Sequence, residues 1–329
     1  MSAPAPASAP TPVRIIDGHV NLASEFATPQ RFIDEQIDNA HHRLVAMGQE
    51  VRRDRLANRI SAIYQDHDGD RLVAEMDAAG VAEAVLIVPD FTYVAACRLT
   101  PPELAELHHR VCERHPGRFR VLWGVDPRAG SDGIELFQRC LDEYGFAGLK
   151  LYPLNGYSPS DRRLYPYFEI CAQRRLPVLS HTGPGWQALD FNYGQPLLID
   201  QAARDFPGVN FVLGHGGVTH VEEASYLCVH RPNVYLDIGG FQAVLSPDGW
   251  AAHLNRLFHL GINHKIVFGT SWPAFRLSAS LAGLVGEFRD TSTVFAGIKP
   301  SARRLILGGN VLRLHQTTPM PVGAGGSTT

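Results

Sequence analysis

Histidine, lysine and asparagine stand at the ends of apolar runs in this sequence, where a side chain leaves the core and becomes able to act. His19 and Asn21 lie two apart in the run IIDGHVN, which puts both side chains on one face of a strand. A histidine pair at that spacing is a metal-ligand pair. Asparagine in the second place offers only a neutral amide oxygen, a much poorer donor for zinc than imidazole, thiolate or carboxylate. On its own, a strand histidine beside an asparagine is as readily structural as functional.

Lys150, in GFAGLKLYP, is more pointed, because 27 of the 30 cationic residues are arginine and the only other lysines are Lys265 and Lys299. A compact ammonium at the end of an apolar strand can hold a carboxylate or a developing oxyanion, and its pKa moves on burial. The plainer alternative is an ammonium that snorkels to the rim beside an acid. His181 in PVLSHTGPG and His215 in FVLGHGG each end an apolar run and precede a glycine turn. Either alone fits a satisfied rim histidine; three histidines and a lysine at equivalent strand ends argue for one shared pocket. The histidines at 41, 42, 67, 108, 109, 115, 230, 253 and 259 fall in helical or loop contexts and read as solvated or capping, and His220 as a helix-entry residue.

The elements that must bring these residues together are eight short runs rich in β-branched and apolar residues. They are Arg14–Val20, Ala84–Val88, Phe119–Val125, Gly148–Tyr152, Pro177–His181, Asn210–His215, Val234–Ile238 and Lys265–Gly269. Helical patterns fill the gaps, among them Pro101–Arg114, Ile134–Tyr144, Leu164–Arg174 and Pro196–Asp205. Eight alternating units predict a single α/β domain, a (β/α)8 TIM barrel over residues 13–316. In such a barrel only residues at the C-terminal strand ends converge, and there stand Asp17, His19, Asn21, Lys150, Tyr152, His181, His215, Asp237, Ser271 and Trp272. Residues 26–70 form a helical insertion after the first strand, too long for an ordinary connection, and are expected over the barrel mouth. The tails, 1–12 and 317–329, are poor in core-forming residues and are expected to be disordered.

Composition narrows the function classes. The chain has 329 residues, 45% of them hydrophobic, with a formal charge of -3, so no positive field exists to hold nucleic acid or an anionic membrane surface. Five widely spaced cysteines without a CxxC pair argue against a disulfide framework or a zinc knuckle. No apolar run reaches the roughly 20 residues of a membrane helix. These features read as a soluble cytoplasmic protein acting on a small molecule; a homodimer is compatible with them.

Taken together, the motifs resemble the amidohydrolase-related, decarboxylase-like branch of the amidohydrolase superfamily. IIDGHVN resembles its strand-one Asp-x-His-x-His, GFAGLKLYP its strand-four lysine motif, and LPVLSHTG and VNFVLGHGG its strand-five and strand-six histidine motifs. NVYLDIGG, KIVFGTSWP and LILGGNVLRL resemble strand seven, strand eight and the closing helix. In metal-dependent members the ion is held by both strand-one histidines, the strand-five histidine and a strand-eight aspartate, while the strand-six histidine is the acid or base. The corresponding positions here are His19, Asn21, His181 and Ser271, with His215 as acid or base, so two of the four ligands are replaced.

The resemblance therefore implies an enzyme that hydrolyses or decarboxylates a small organic acid, lactone or amide without a tightly bound metal. His19, Lys150, His181 and His215 are its expected catalytic residues, and Asn21, Tyr152, Ser271 and Trp272 contact the substrate. Should an ion bind, His19 and His181 are its residual ligands, with weakly held zinc the example. Lyase, cyclase or isomerase chemistry on the same scaffold is the alternative, and a non-catalytic descendant that binds a small molecule is a third reading. Trp186, Phe241 and Phe275 are further expected to line the pocket.

Overall fold

In the computed structural model the described residues are 13–244, 247–277 and 279–316; both tails lie outside them. Eight parallel strands form one sheet in sequence order. They are β1 (Ile15–Val20), β2 (Val81–Val88), β3 (Phe119–Val125), β4 (Gly148–Leu151), β5 (Val178–His181), β6 (Phe211–Gly214), β7 (Val234–Asp237) and β8 (Ile266–Val267). All eight expected strands form, β3 with the expected bounds and the others with one or both edges shifted by one to three residues. β8 keeps only two ladder residues because Phe268 and the residues after it turn to meet β1.

That meeting closes the barrel. Gly18 N–H donates to Phe268 O, Ser271 N–H to His19 O and Asn21 N–H to Trp272 O, each at 2.8 Å. Asp17 reinforces the seam from inside the protein: its carboxyl group accepts from the backbone N–H groups of His19 and Thr270 and bonds Thr270 Oγ1 at 2.5 Å. Burial raises the Asp17 carboxyl to about 7 despite those bonds. Asp17 is thus a clasp between the first and last strands.

The barrel interior is filled by Ile16, Val85, Ile87, Leu122, Leu179, Val212 and Val267, one or two from most strands. Val311 and Leu314, on the C-terminal helix Asn310–Gln316, plug the end where the strands begin. A second, larger apolar shell packs the helices on the outside of the sheet. The helix expected at Pro101–Arg114 forms with those bounds, and its Thr100 and Glu103 make a reciprocal capping box. The expected Pro196–Asp205 helix is split into a 3-10 turn at Pro196–Ile199 and a short α-helix at Asp200–Asp205.

Between β1 and β2 the chain makes three helices, α1 (Gln30–Ala46), α2 (Arg53–Ser61) and α3 (Asp70–Ala79). The first two belong to the insertion and α3 is the barrel helix that leads into β2. Phe32 packs against Phe91 and stacks on Trp186, while Ile33, Ile37, Ile60, Ile63 and Tyr64 form a small core of their own. The insertion is fastened to the C-terminal end of the barrel by those aromatic contacts. No helix among the described residues is long and apolar enough to cross a membrane.

Close backbone approach fixes one position in β3. A Cβ on Gly124 would lie 2.1 Å from Val88 O and 2.5 Å from Asp90 N. Gly124→Ala is expected to destabilise the barrel by about 3 kcal/mol or more through overpacking against backbone that cannot yield, read as a lower urea midpoint by circular dichroism.

Candidate active site

At the C-terminal mouth, above the interior layer, lies a cavity of about 370 Å3. Six of the eight site residues expected from sequence line it: His19, Asn21, Tyr152, His181, His215 and Ser271. Leu22, Ile87, Val88, Pro89, Phe91 and His108 form the wall on the β1 and β2 side; Pro184, Gly185 and Trp186 come from the loop after β5. Ala27 and Thr28 from the chain after β1, and Gln36 and Tyr64 from the insertion, complete the enclosure.

Two expectations for this wall are corrected. Trp272 does not reach the cavity: it is fully buried in the main core and its indole N–H donates to Glu75 Oε2 at 2.9 Å. A seam residue that turns outward to pair with the β1 backbone points its ring at α3 instead of the mouth. Phe241 and Phe275 are likewise core residues, whereas Trp186 does line the cavity.

The electrostatic centre of the site is Asp237, at the end of β7. Its Oδ1 accepts from the backbone N–H of His215 at 2.9 Å and of Gly239 at 2.8 Å, and its Oδ2 pairs with His19 Nδ1 at 2.8 Å. Burial alone would raise this carboxyl group, but the charge and hydrogen bond of His19, with the His215 contacts, hold it at about 2. A carboxylate accepts only, so Nδ1 of His19 carries a proton and donates it to Asp237. Room for the His19 ring comes from two glycines: a Cβ on Gly269 would lie 2.7 Å from His19 Cβ, and one on Gly239 3.0 Å from its Cγ.

His215 and His181 are oriented by backbone carbonyls. Nδ1 of His215 donates to Gly239 O at 2.6 Å, and Nε2 of His181 donates to Pro184 O at 3.1 Å. Each ring therefore leaves its other nitrogen as an acceptor. Burial, reinforced by His19, lowers His215 to about 3; burial, reinforced by His215 and Lys150, puts His181 well below the ordinary imidazole value. Both are neutral at pH 7. The His19 and His215 ring centroids lie 4.4 Å apart, and those of His181 and His215 4.8 Å. His215 and Ser271 hold left-handed backbone, φ 65° and 56°, which costs a non-glycine residue on the order of 1 kcal/mol and sets these two side chains toward the pocket.

Lys150 stands behind this wall. It is fully buried, its Nζ has no hydrogen-bond partner among the described residues, and it lies 5.5 Å from the Tyr152 ring centroid. Burial lowers the ammonium to about 7, partly opposed by Asp237. Tyr152 in turn packs on His181 with centroids 4.4 Å apart. Tyr152 and His181 thus lie between Lys150 and the cavity, which Lys150 does not itself line.

Ligand atoms of His19, His215 and Asp237 lie within 4.8 Å of one another, the geometry of a metal site on its face. Both Asp237 oxygens are nevertheless committed to the bonds above. What remains for a divalent ion is imidazole lone pairs and the neutral oxygens of Asn21 and Ser271; no carboxylate lines the cavity among the described residues. The sequence places Asp237 at a strand end without a role, and His108, read as solvated or capping, is instead buried against the cavity. The first was legible as a strand-end acid, whereas His108 lies on a helix and carried no signal.

Residues 16–315 match the amidohydrolase family. Among curated proteins, a 2-keto-4-carboxy-3-hexenedioate hydratase from Sphingobium sp. is 28% identical over 128 residues, 33% of this chain and 38% of the relative. Protein fluG of Emericella nidulans is 29% identical over 118 residues, 36% of this chain and 13% of the relative. The chain thus spans well under half the length of these relatives. Among solved structures, a TIM-barrel protein of Bordetella bronchiseptica has a TM-score of 0.63 at 23% identity, covering 92% of this chain and 98% of the other. A dihydroxybenzoic acid decarboxylase from Polaromonas sp., solved with bound manganese and an inhibitor, has a TM-score of 0.58 at 17% identity, covering 91% and 97%. These structural likenesses establish the fold.

The buried ammonium predicts a pH signature. A lysine lowered to about 7 in the fold and near 10.5 when unfolded means that the unfolded chain binds more protons between those values, so stability rises with pH across that window. Lys150→Met is expected to stabilise the protein at pH 7 by on the order of 2 kcal/mol. The gain should shrink toward pH 10 in urea titrations followed by circular dichroism; a variant less stable than wild type at pH 7 contradicts the assignment.

Proposed function

The chain belongs to the amidohydrolase family, and from that premise we propose that it hydrolyses or decarboxylates a small organic acid, lactone or amide without a tightly bound metal. The observation that carries this reading is the Asp237–His19 pair at 2.8 Å, with His19 in the cavity wall. A carboxylate behind one imidazole nitrogen fixes the tautomer and stabilises the imidazolium that forms when the other nitrogen takes a proton.

In hydrolysis, His19 Nε2 is the base that takes a proton from water as it adds to a carbonyl carbon. The Ser271 hydroxyl and the Asn21 amide, both in the wall, are the donors that face the developing oxyanion, and the Lys150 charge favours it from behind. In decarboxylation the same charge holds the carboxylate, and a protonated His19 returns the proton to carbon after carbon dioxide leaves. His181 and His215, neutral and tautomerically fixed, accept hydrogen bonds from substrate or water.

A divalent ion would supply Lewis-acid polarisation and a bound hydroxide. The replacement of two ligand positions by Asn21 and Ser271 argues that an ion, if added, is held weakly. Enzyme purified without added metal is expected to contain far less than one equivalent by elemental analysis and to keep its activity through chelation. Stoichiometric metal, with activity lost on chelation, overturns the metal-free part of the reading.

A second reading has its own support. The hydratase and decarboxylase likenesses both name lyase chemistry, in which water is added to a double bond or a carbon–carbon bond is cut. Turnover in 18O-labelled water separates water-adding chemistry from decarboxylation, since hydrolysis and hydration incorporate the label and loss of carbon dioxide does not, and product mass then separates hydrolysis from hydration. Asp237→Asn and Lys150→Met are each expected to lower kcat by about 100-fold or more in a metabolite-panel assay, with the fold intact by circular dichroism. Wild-type rates in both would remove the proposed machinery.

A further inference from the structure

We infer that the cavity has a second, uncharged end read by His108, which accepts a hydrogen bond from a donor on the substrate and leaves no counter-charge for a second carboxylate. This rests on the organic-acid reading above and specifies which acids fit.

His108 sits on α4 (Pro101–Arg114), on the face that buries Leu104, Leu107 and Val111. An imidazole in that apolar row needs a partner. Its Nδ1 finds one inside the helix, donating to Leu104 O at 2.8 Å. Nε2 has no hydrogen-bond partner among the described residues, yet it is not sealed in the core: the residue is 1% exposed and lines the cavity. Burial lowers this histidine to about 4, so it is neutral, and with Nδ1 donating, Nε2 is solely an acceptor. A hydroxyl or N–H of a bound molecule satisfies it; a carboxylate repels its lone pair.

The rest of that end is consistent with this selectivity. No arginine, lysine, aspartate or glutamate lines the cavity among the described residues, in a chain with 30 basic residues. The single positive charge that influences the pocket, Lys150, lies behind Tyr152 and His181. Aromatic rings make up much of the remaining wall: Phe91 meets Tyr152 at 5.0 Å, and Trp186 stacks on Phe32 at 5.3 Å with planes 7° apart. On the insertion, Tyr64 spends its hydroxyl hydrogen on Gln36 at 2.8 Å. One carboxylate is therefore accommodated near the histidines, and a second would be buried unpaired.

The test uses calorimetric binding of four probes: benzoate, 3-hydroxybenzoate, 3-methoxybenzoate and isophthalate. Wild type is expected to bind the hydroxy acid about tenfold more tightly than the methoxy acid, which cannot donate, and isophthalate at least tenfold more weakly than benzoate. His108→Phe should bring the hydroxy to methoxy ratio to about one, and His108→Gln, which keeps an acceptor, should restore most of it. A merely structural histidine would weaken all probes alike. Absence of the hydroxyl preference in wild type, its survival in His108→Phe, or isophthalate binding as tightly as benzoate overturns this inference and leaves the organic-acid reading standing. Failure of every acid to bind wild type removes that reading, and this one with it. If His108→Phe does not fold, the wild-type ratios and His108→Gln decide.

Discussion

One buried carboxylate organises the active end of this barrel. Asp237 accepts two backbone N–H groups and one imidazole, so a single side chain ties the ends of β1, β6 and β7. A charge taken that far from water is tolerated only when its lone pairs are satisfied, and here the satisfaction does double duty. The bond to His19 holds the imidazole on the cavity wall with a chosen tautomer; the bond to the His215 amide holds that residue in its left-handed turn. Asp17 makes an analogous clasp between β1 and the turn after β8, but with a raised pKa and no imidazole, and it serves closure alone.

Around this centre the charges are graded by depth. Lys150 is fully buried, without a hydrogen-bonding partner among the described residues, its ammonium discouraged by burial and encouraged by Asp237. The three imidazoles form the next layer, and beyond them the wall is apolar, aromatic or neutral. Stability and function oppose each other at Lys150: an apolar side chain would pack there at lower cost, and a cation there makes sense as an influence on a negative group in the cavity. The insertion borders the same mouth through Gln36 and Tyr64, and its Phe32 backs the Trp186 ring of the wall.

The family match spans nearly the whole barrel, yet the residues that distinguish this chain are few. Asn21 puts a neutral amide where the resemblance implies an imidazole ligand, and Ser271 a hydroxyl where it implies a carboxylate. What remains is a carboxylate, Asp237, bonded behind the His19 imidazole in the cavity wall.

Much of this was legible in the chain. Eight apolar runs at regular spacing dictate a closed parallel barrel, because strands covered on both faces must be apolar throughout and a right-handed crossover repeated eight times closes on itself. Barrel geometry then sends strand-end residues to one mouth, so His19, Asn21, Tyr152, His181, His215 and Ser271 could be grouped before any coordinates. Trp272 could not be placed, since whether a strand-end side chain turns inward or outward depends on the β1–β8 seam, a contact between residues about 250 apart. Asp237's hold on His19 is likewise a long-range hydrogen bond that periodicity does not encode. His108 was hidden most completely: its helix carries the ordinary apolar face of a barrel helix, and only packing decides which residue of that face borders a cavity instead of the core.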